Sequence, residues 1–524
     1  MDLPALLVLM NPISRRLFVY AVLLVPLFAL GLAPRNAAAP VASGVGGVGG
    51  AAGESRPNVV LLVTDDQDLL LGSIDAMPHL RELLIRQGTT FSQAYVPLSL
   101  CCPSRATILT GRYTHNLKVY TNFPPDGGFL RFQALGHEEA TLGFVLHRAG
   151  YRTALVGKYL NGYPNPEDRT WVPPGWDEWV VPAAGSPYFQ YNYTLNQNGT
   201  MEPHGRETTD YLTDVLAQKA NDFVTQAAAD GVPFFLYLAP YAAHKPCPPA
   251  PRHAALFPGV QAPRTASFNE ADVHDKPNAI RGRRRLDAGQ IRSLDSLYRR
   301  RLQSLQAVDE AVAALVATLT RTGQLANTYF FFTSDNGFHL GQHRLSDGKY
   351  TSYDEDVRVP LVVRGPGVSA GEIADSFVET VDLAPTIAQL AGTHMRVTPD
   401  GRSFVPLLRA PRQPPAGWRQ LVFLEQFHFD DSGEGDLGEG LLEPRDEPVD
   451  TEHVTHLGLR TATYKFVEYG TGELEYYDLV NDPGELKNQA GTLSAARRRR
   501  LSERVHALGA CRRGVCRALE AELP

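Results

Sequence analysis

Three short polar strings in the 524-residue chain carry residue types that do chemistry together. The first is Asp65-Asp66, two adjacent carboxylates that repel each other unless a cation is near. The second is Asp335-Asn336, which adds two more oxygen donors. Oxygen ligands alone suit Ca2+ or Mg2+ rather than zinc. Either pair alone reads equally well as a helix cap or an Asx turn. Both follow apolar runs of strand type, and that favours the metal reading. The third string is Cys101-Cys102-Pro103-Ser104-Arg105, running on to Leu109-Thr110-Gly111-Arg112. Pro103 suits the first turn of a helix, which places Cys101 near a helix N-terminus. Free N–H groups and partial positive charge at such an end favour a tetrahedral oxyanion. Arg105 and Arg112 add guanidinium groups that match sulfate or phosphate oxygens two at a time. The pattern reads as a nucleophile at an anion-binding helix start; the alternative is a buried structural cysteine beside surface arginines.

These strings need elements to position them. Residues 59–63, 153–156, 234–239, 329–332 and 361–363 are short apolar runs that read as buried parallel strands. The first four lead into Asp65-Asp66, Gly157-Lys158, His244 a few residues on, and Asp335-Asn336. Between them, Tyr298, Leu302, Leu305, Val308, Val312, Leu315 and Leu319 recur every three or four residues, which predicts a helix over 296–319. Thr322-Gly323 offers its stop. Strands alternating with helices imply an α/β sandwich with a large, mainly parallel sheet flanked by helices. Ligands of such folds sit beyond the carboxyl ends of the strands, where all four polar groups fall. After about residue 409 the character changes. A Pro-rich linker (410–416) precedes an acidic, Gly-containing segment (427–453) that reads as a mobile loop. Segments 464–468 and 474–479 flank Gly470-Thr471-Gly472 as a β-hairpin, and 493–508 reads as a helix. The expected organisation is a catalytic domain over 56–410 and a smaller C-terminal α+β unit with a short antiparallel sheet over 411–524.

The string C-C-P-S-R-A-T-I-L-T-G-R at 101–112 fits the sulfatase signature C-x-P-S-R-x-x-x-L-T-G-R at every fixed position. The chain resembles the formylglycine-dependent sulfatases over roughly 56–408. The likeness runs through P-N-V-V-L-L-V-T-D-D-Q at 57–67, Gly157-Lys158-Tyr159, His244, T-S-D-N-G at 333–337 and Lys349. A weaker match follows at Tyr476-Tyr477-Asp478-Leu479 and Asp482-Pro483. Within the family, T-D-D-Q-D, A-Y-V-P-L-S-L-C-C-P-S-R, G-K-Y-L-N and Y-N-Y-T-L are most similar to N-acetylglucosamine-6-sulfatases, with the heparan endosulfatases nearby.

The resemblance implies an alkaline-phosphatase-like sandwich and a stated chemistry. Cys101 would be oxidised to formylglycine (3-oxoalanine) by a formylglycine-generating enzyme. One hydroxyl of the aldehyde hydrate would attack sulfur, and the other would then expel sulfate by regenerating the aldehyde. Asp65, Asp66, Asp335 and Asn336, with residue 101, would hold one Ca2+. Arg105, Lys158 and Lys349 would bind the sulfate oxygens, and His244 would contact substrate and protonate the leaving oxygen. Many sulfatases carry a His two residues after the lysine that matches Lys158; here Leu160 and Asn161 follow, as in the glucosamine-6-sulfatase group. That leaves open which residue deprotonates the hydrate, with His115 as a candidate that would also touch substrate. His343 reads as a sulfate contact or as a surface histidine. The implied substrate is a sulfated saccharide, first the 6-sulfate of N-acetylglucosamine in glycosaminoglycans, or an aryl sulfate. The competing readings are a phosphoester or phosphonate hydrolase and an inactive sulfated-glycan-binding protein.

Composition bounds these readings. The chain is 43% hydrophobic and 20% charged, as for a globular protein, and its net charge of -7 gives no general attraction to nucleic acid. Arg15-Arg16, an apolar run over 17–32 and Ala37-Ala38-Ala39 resemble a signal peptide over 1–39, followed by a flexible linker over 40–55. The alternative is an uncleaved anchor, although the run falls short of the ~20 residues that span a bilayer and Pro26 interrupts it. The expected location is therefore the secretory pathway, whether secreted, periplasmic or lysosomal, with no stable membrane insertion after cleavage. Of five cysteines, Cys511 and Cys516 could close a small loop, and an odd count leaves at least one thiol unpaired. Asn192 and Asn198 begin glycosylation sequons.

Overall fold

The computed structural model describes residues 56–427 and 455–524. The expected signal peptide and linker, and all of the acidic segment but Phe427, lie outside the described residues.

Ten strands form the large sheet: β1 (Asn58–Thr64), β2 (Thr89–Phe91), β3 (Arg152–Gly157), β4 (Glu178–Gly185), β5 (Tyr193–Gln197), β6 (Thr200–His204), β7 (Phe234–Ala239), β8 (Thr328–Ser334), β9 (Leu361–Arg364) and β10 (Glu372–Ala374). Their order is β10-β2-β9-β8-β1-β7-β3-β4-β5-β6. The central five, from β8 to β4, run parallel. Their sequences are near-continuous runs of β-branched, aromatic and leucine residues because both faces are covered. Alternate residues serve opposite cores: Val59, Leu61, Tyr237 and Phe331 pack on one face, and Val60, Leu62, Leu238 and Phe332 on the other.

Helices complete the sandwich. On the first face lie α1 (Cys101–Thr110), through Ala106 and Leu109, and α4 (Leu383–Leu390), through Leu383 and Ile387. On the second lie α2 (Leu212–Asp230) and α3 (Ala288–Arg321), through Leu216, Val224, Leu305 and Val312. The 34-residue α3 starts eight residues ahead of the predicted helix. Asp287 caps it, accepting from the amides of Gly289 and Gln290 at 2.7 and 2.9 Å, while the Gln290 side chain accepts from the Asp287 amide at 2.9 Å.

Two features depart from the expectation. Segment 361–363 is a buried strand, yet β9 runs antiparallel to β8. The chain leaves β8 at the carboxyl rim and turns back through a loop with no long crossover helix, so the next strand runs the opposite way. The sheet also extends through the antiparallel strands β5 and β6. Their turn is Asn198-Gly199, with φ of 51° and 88°, a hairpin signal that also reads as a sequon. Asn192 and Asn198 are both exposed.

The C-terminal part is a four-stranded antiparallel sheet, β11 (Leu421–Gln426), β12 (His456–Thr461), β13 (Tyr464–Tyr469) and β14 (Leu474–Asp478), paired in chain order. Helix α5 (Ala495–Gly509) packs Leu501, Val505 and Leu508 on Phe423, Leu459 and Phe466. Cys511 and Cys516 are disulfide-bonded. Buried Arg419 meets Glu520, Glu379 and Asp382 at 2.9, 3.0 and 2.5 Å and so ties this sheet to the main body. No helix among the described residues is long and apolar enough to cross a membrane.

Candidate active site

Four adjacent parallel strands, β8, β1, β7 and β3, end on the same rim of the sheet. They deliver Asp335-Asn336, Asp65-Asp66, His244 and Lys158 there, which is where ligands gather in this architecture. Gly157 makes the last placement possible. At its φ of +113° a Cβ would lie 2.0 Å from the Ala239 carbonyl oxygen, so only glycine lets β3 end against β7. The Lys158 amide then donates to that carbonyl at 2.7 Å. Helix α1 begins at Cys101 itself, over this rim. Lys349 arrives from the loop after β8, where Asp347–Gly348 pairs with His339–Leu340.

The groups converge closely. Cys101 Sγ lies 3.6 Å from Asp65 Oδ1 and 3.9 Å from Asp66 Oδ1, and Lys349 Nζ is 2.9 Å from the same sulfur. Lys349 also reaches Asp66 Oδ1 at 2.6 Å, and Lys158 reaches Asp65 Oδ2 at 2.7 Å. Arg105 Nε meets Asp335 Oδ2 at 2.8 Å, and its Nη1 donates to the Lys158 carbonyl at 3.2 Å. His244 Nε2 faces Asp66 Oδ2 at 3.5 Å, and the Lys245 carbonyl accepts from His244 Nδ1 at 2.7 Å, which leaves Nε2 for proton exchange. Three carboxylates thus stand against three fixed cations, all buried.

The residues fit a cation. Asp65, Asp66, Cys101 and His244 each offer a ligand atom, all within 4.8 Å of one another. Asn336 Nδ2 donates to Asp66 Oδ1 at 2.7 Å, which turns Asn336 Oδ1 inward. That oxygen and Asp66 Oδ2 are buried without a hydrogen bond, as ligand oxygens would be before an ion binds. Asp335 is less ready, since its Oδ1 accepts from the Asp66 amide at 3.0 Å and its Oδ2 faces Arg105. Electrostatics divide the carboxylates. Burial would raise the Asp65 carboxyl, but Lys158, His244, Arg105 and Lys349 outweigh it and hold Asp65 below the usual carboxylate range. Asp335 is raised by burial, with Arg105 opposing. Burial also pushes the Cys101 thiol well above its ordinary value, so the unmodified thiol is a poor nucleophile.

His115 is not brought into this group. Its Nδ1 is 2.7 Å from Glu425 Oε2 and its Nε2 is 2.9 Å from the Cys511 carbonyl, so both ring nitrogens serve the join to the C-terminal unit. That placement corrects the expectation that it touches substrate or deprotonates residue 101. His343 is buried rather than superficial; its Nδ1 lies 2.7 Å from Glu270 and its ring stacks on Tyr353 at 3.8 Å. Leu160, two residues after Lys158, is buried in the core.

Several supporting residues escape the sequence reading. Arg301 on α3 donates to the Asp66 and Ala243 carbonyls at 2.5 and 3.0 Å and to Asp68 Oδ1 at 3.1 Å. It fixes the loops that carry two site residues, and its signal is a charge set among the apolar positions of an amphipathic helix. His339 Nδ1 meets Asp356 at 2.9 Å, and His339 pairs with Gly348, next to Lys349. Asn122 Oδ1 accepts from the Cys102 amide at 2.9 Å. Nothing local in sequence marks these last contacts.

Parallel strands that bring their polar ends to one rim, beneath a helix that starts at a cysteine, form the layout of the alkaline-phosphatase-like hydrolases. The family model described as Sulfatase matches residues 57–393, and the chain belongs to the sulfatase family of sulfuric ester hydrolases. Among relatives, the N-acetylglucosamine-6-sulfatase of Homo sapiens is 37% identical over 495 residues, covering 90% of this chain and 88% of that one. A solved structure of a protein in complex with its substrate D-glucosamine-2-N,6-O-disulfate superposes with a TM-score of 0.69 at 23% identity, covering 86% of this chain and 97% of that one. A phosphonate monoester hydrolase from Silicibacter pomeroyi superposes at 0.65, also 23% identical, covering 85% and 93%. The two structural likenesses speak for the fold.

Proposed function

We propose that this sulfatase hydrolyses the 6-sulfate of N-acetylglucosamine in sulfated saccharides, using Cys101 as formylglycine and one bound Ca2+. The observation that carries the reading is Cys101 at the start of α1, 2.9 Å from Lys349 Nζ and beside two aspartates, with buried oxygens of Asp66 and Asn336 that accept no hydrogen bond. The saccharide part rests on the 37% identity to the human N-acetylglucosamine-6-sulfatase.

Asp65, Asp66, Asp335 and Asn336 would hold the ion. When bound, the ion supplies positive charge to the sulfate oxygens, and the oxidised side chain supplies the attacking oxygen. Arg105 Nη2, held only loosely at 3.7 Å from Asp65 Oδ1, is the donor that would turn to a sulfate oxygen. Lys158 and Lys349 are the two remaining fixed cations for that anion, held in a buried site where water does not screen them. His244 Nε2 is the candidate acid for the leaving oxygen. A secretory-pathway location and maturation by a formylglycine-generating enzyme complete the reading.

The test is release of sulfate from N-acetylglucosamine 6-sulfate by wild type and by Cys101→Ala, with mass spectrometry of the peptide that holds residue 101. Loss of turnover in a folded variant, together with sulfur missing from the wild-type peptide, is expected. An intact thiol in active enzyme would refute the chemistry. Faster turnover of an aryl phosphate than of an aryl sulfate would favour a phosphoester hydrolase instead.

A further inference from the structure

A cluster of cationic side chains lies at the far end of α1. The helix has ten residues from Cys101 to Thr110, so its two ends are roughly 15 Å apart. Just past its last turn, Arg112, Asn116 and Lys118 line a cavity of about 270 Å³ together with Asp400, Arg512 and Arg513. Four cationic side chains share this space with one carboxylate, in a chain whose net charge is -7.

That carboxylate is already committed. Asp400 Oδ1 accepts from the Arg513 amide at 2.6 Å, and its Oδ2 accepts from the Tyr113 amide at 2.9 Å and from Asn116 Nδ2 at 3.0 Å. Arg112 spends one donor on the Asn116 carbonyl at 2.6 Å. None of the four cations forms an ion pair with a carboxylate among the described residues. Burial lowers the Arg112 pKa, with Asp400 opposing and Arg512 and Arg513 adding smaller pushes in the direction of burial. The arrangement is built rather than accidental. The Cys511–Cys516 disulfide closes the loop that presents Arg512 and Arg513, and Asn116 bridges Asp400 to the Cys511 carbonyl at 2.9 Å.

We infer that this cavity binds a sulfate group carried on a sugar residue, as an exosite separate from the catalytic centre. The guanidinium groups supply the paired donors that a tetrahedral oxyanion takes. The volume lies near the lower end of small-ligand pockets, which suits one anionic sugar residue better than a bare ion or a whole oligosaccharide. The choice of a saccharide rests on the function proposed above; the excess of positive charge does not.

The experiment is calorimetric binding of a sulfated heparin tetrasaccharide, and separately of inorganic sulfate, to Cys101→Ala protein with and without Arg512→Gln/Arg513→Gln. Both arginines are exposed, and thermal melting checks the fold. Tetrasaccharide affinity is expected to fall at least about tenfold in the arginine variant, while an active enzyme with the same two substitutions turns over an aryl sulfate like wild type. Should that variant fail to fold, Lys118→Gln replaces it, with a smaller fall in the same direction expected. Unchanged tetrasaccharide affinity in a folded variant overturns the exosite. Inorganic sulfate binding as tightly as the tetrasaccharide overturns the saccharide assignment. A failure of the catalytic reading would appear in sulfate release and leave these binding curves unmoved.

Discussion

Arg105→Lys keeps the positive charge of the site and removes its shape. Arg105 is fully buried and uses Nε on Asp335 at 2.8 Å and Nη1 on the Lys158 carbonyl at 3.2 Å, while Nη2 is paired only loosely, 3.7 Å from Asp65 Oδ1. A lysine ammonium can keep the Asp335 contact, but it cannot hold all three positions from one rigid plane. Loss of the carbonyl contact should lower stability by about 1.5–3 kcal/mol, the range for a hydrogen bond to a charged group. If Nη2 takes a sulfate oxygen as proposed, its loss should lower kcat by about 10²–10³-fold, as for removal of one preorganised donor. Steady-state kinetics on an aryl sulfate and on N-acetylglucosamine 6-sulfate, beside urea unfolding of the same preparations, separates the two effects. A kcat/KM within about threefold of wild type, in a variant that has lost stability, would refute the assignment of Nη2 to the sulfate. Equal activity loss and full stability would instead place the whole effect in the transition state.

Three further outcomes follow from the described contacts. Burial raises Glu270 to about 7, with Lys276 opposing, so the folded state holds a proton that the unfolded chain releases near pH 4.5. Stability from this group is therefore present in acid and lost as pH climbs through about 7; the unfolding free energy from urea titrations between pH 5 and 8 should fall by at most about 3 kcal/mol, and Glu270→Gln should flatten the curve. His115→Ala should lose about 1–3 kcal/mol of stability by leaving buried Glu425 without its 2.7 Å partner, while kcat on an aryl sulfate holds; a hundredfold fall in kcat in folded protein would restore His115 to the chemistry. A chelator should remove activity and added Ca2+ return it, and activity retained by protein shown to be metal-free by elemental analysis would exclude the ion's role.

The catalytic strings were legible because each is local. A cysteine at a helix start and acidic pairs after apolar strands keep their meaning without tertiary information; Asp65 and Asp66 lie beside Cys101, while Asp335 reaches Arg105 and Asn336 reaches Asp66. The same locality failed for His115, which sits three residues past the motif yet faces Glu425, some 310 residues away. It failed for β9 as well, since an apolar run states burial but not direction. Arg301 and Asp68 are 233 residues apart, and only the packing of α3 against β1 makes them partners. The edge strands β5 and β6 are half-polar, and their Asn-Gly turn competes with a glycosylation triplet for the same letters.

One guanidinium has a reach beyond its own contacts. Arg301 stands midway along a 34-residue helix and pins the carbonyl of Asp66 and that of Ala243, just before His244. The loops that carry Asp66 and His244 are therefore tied to that helix and share its fate. On heating, loss of turnover should track loss of helical signal degree for degree, without an earlier phase in which a folded enzyme goes quiet.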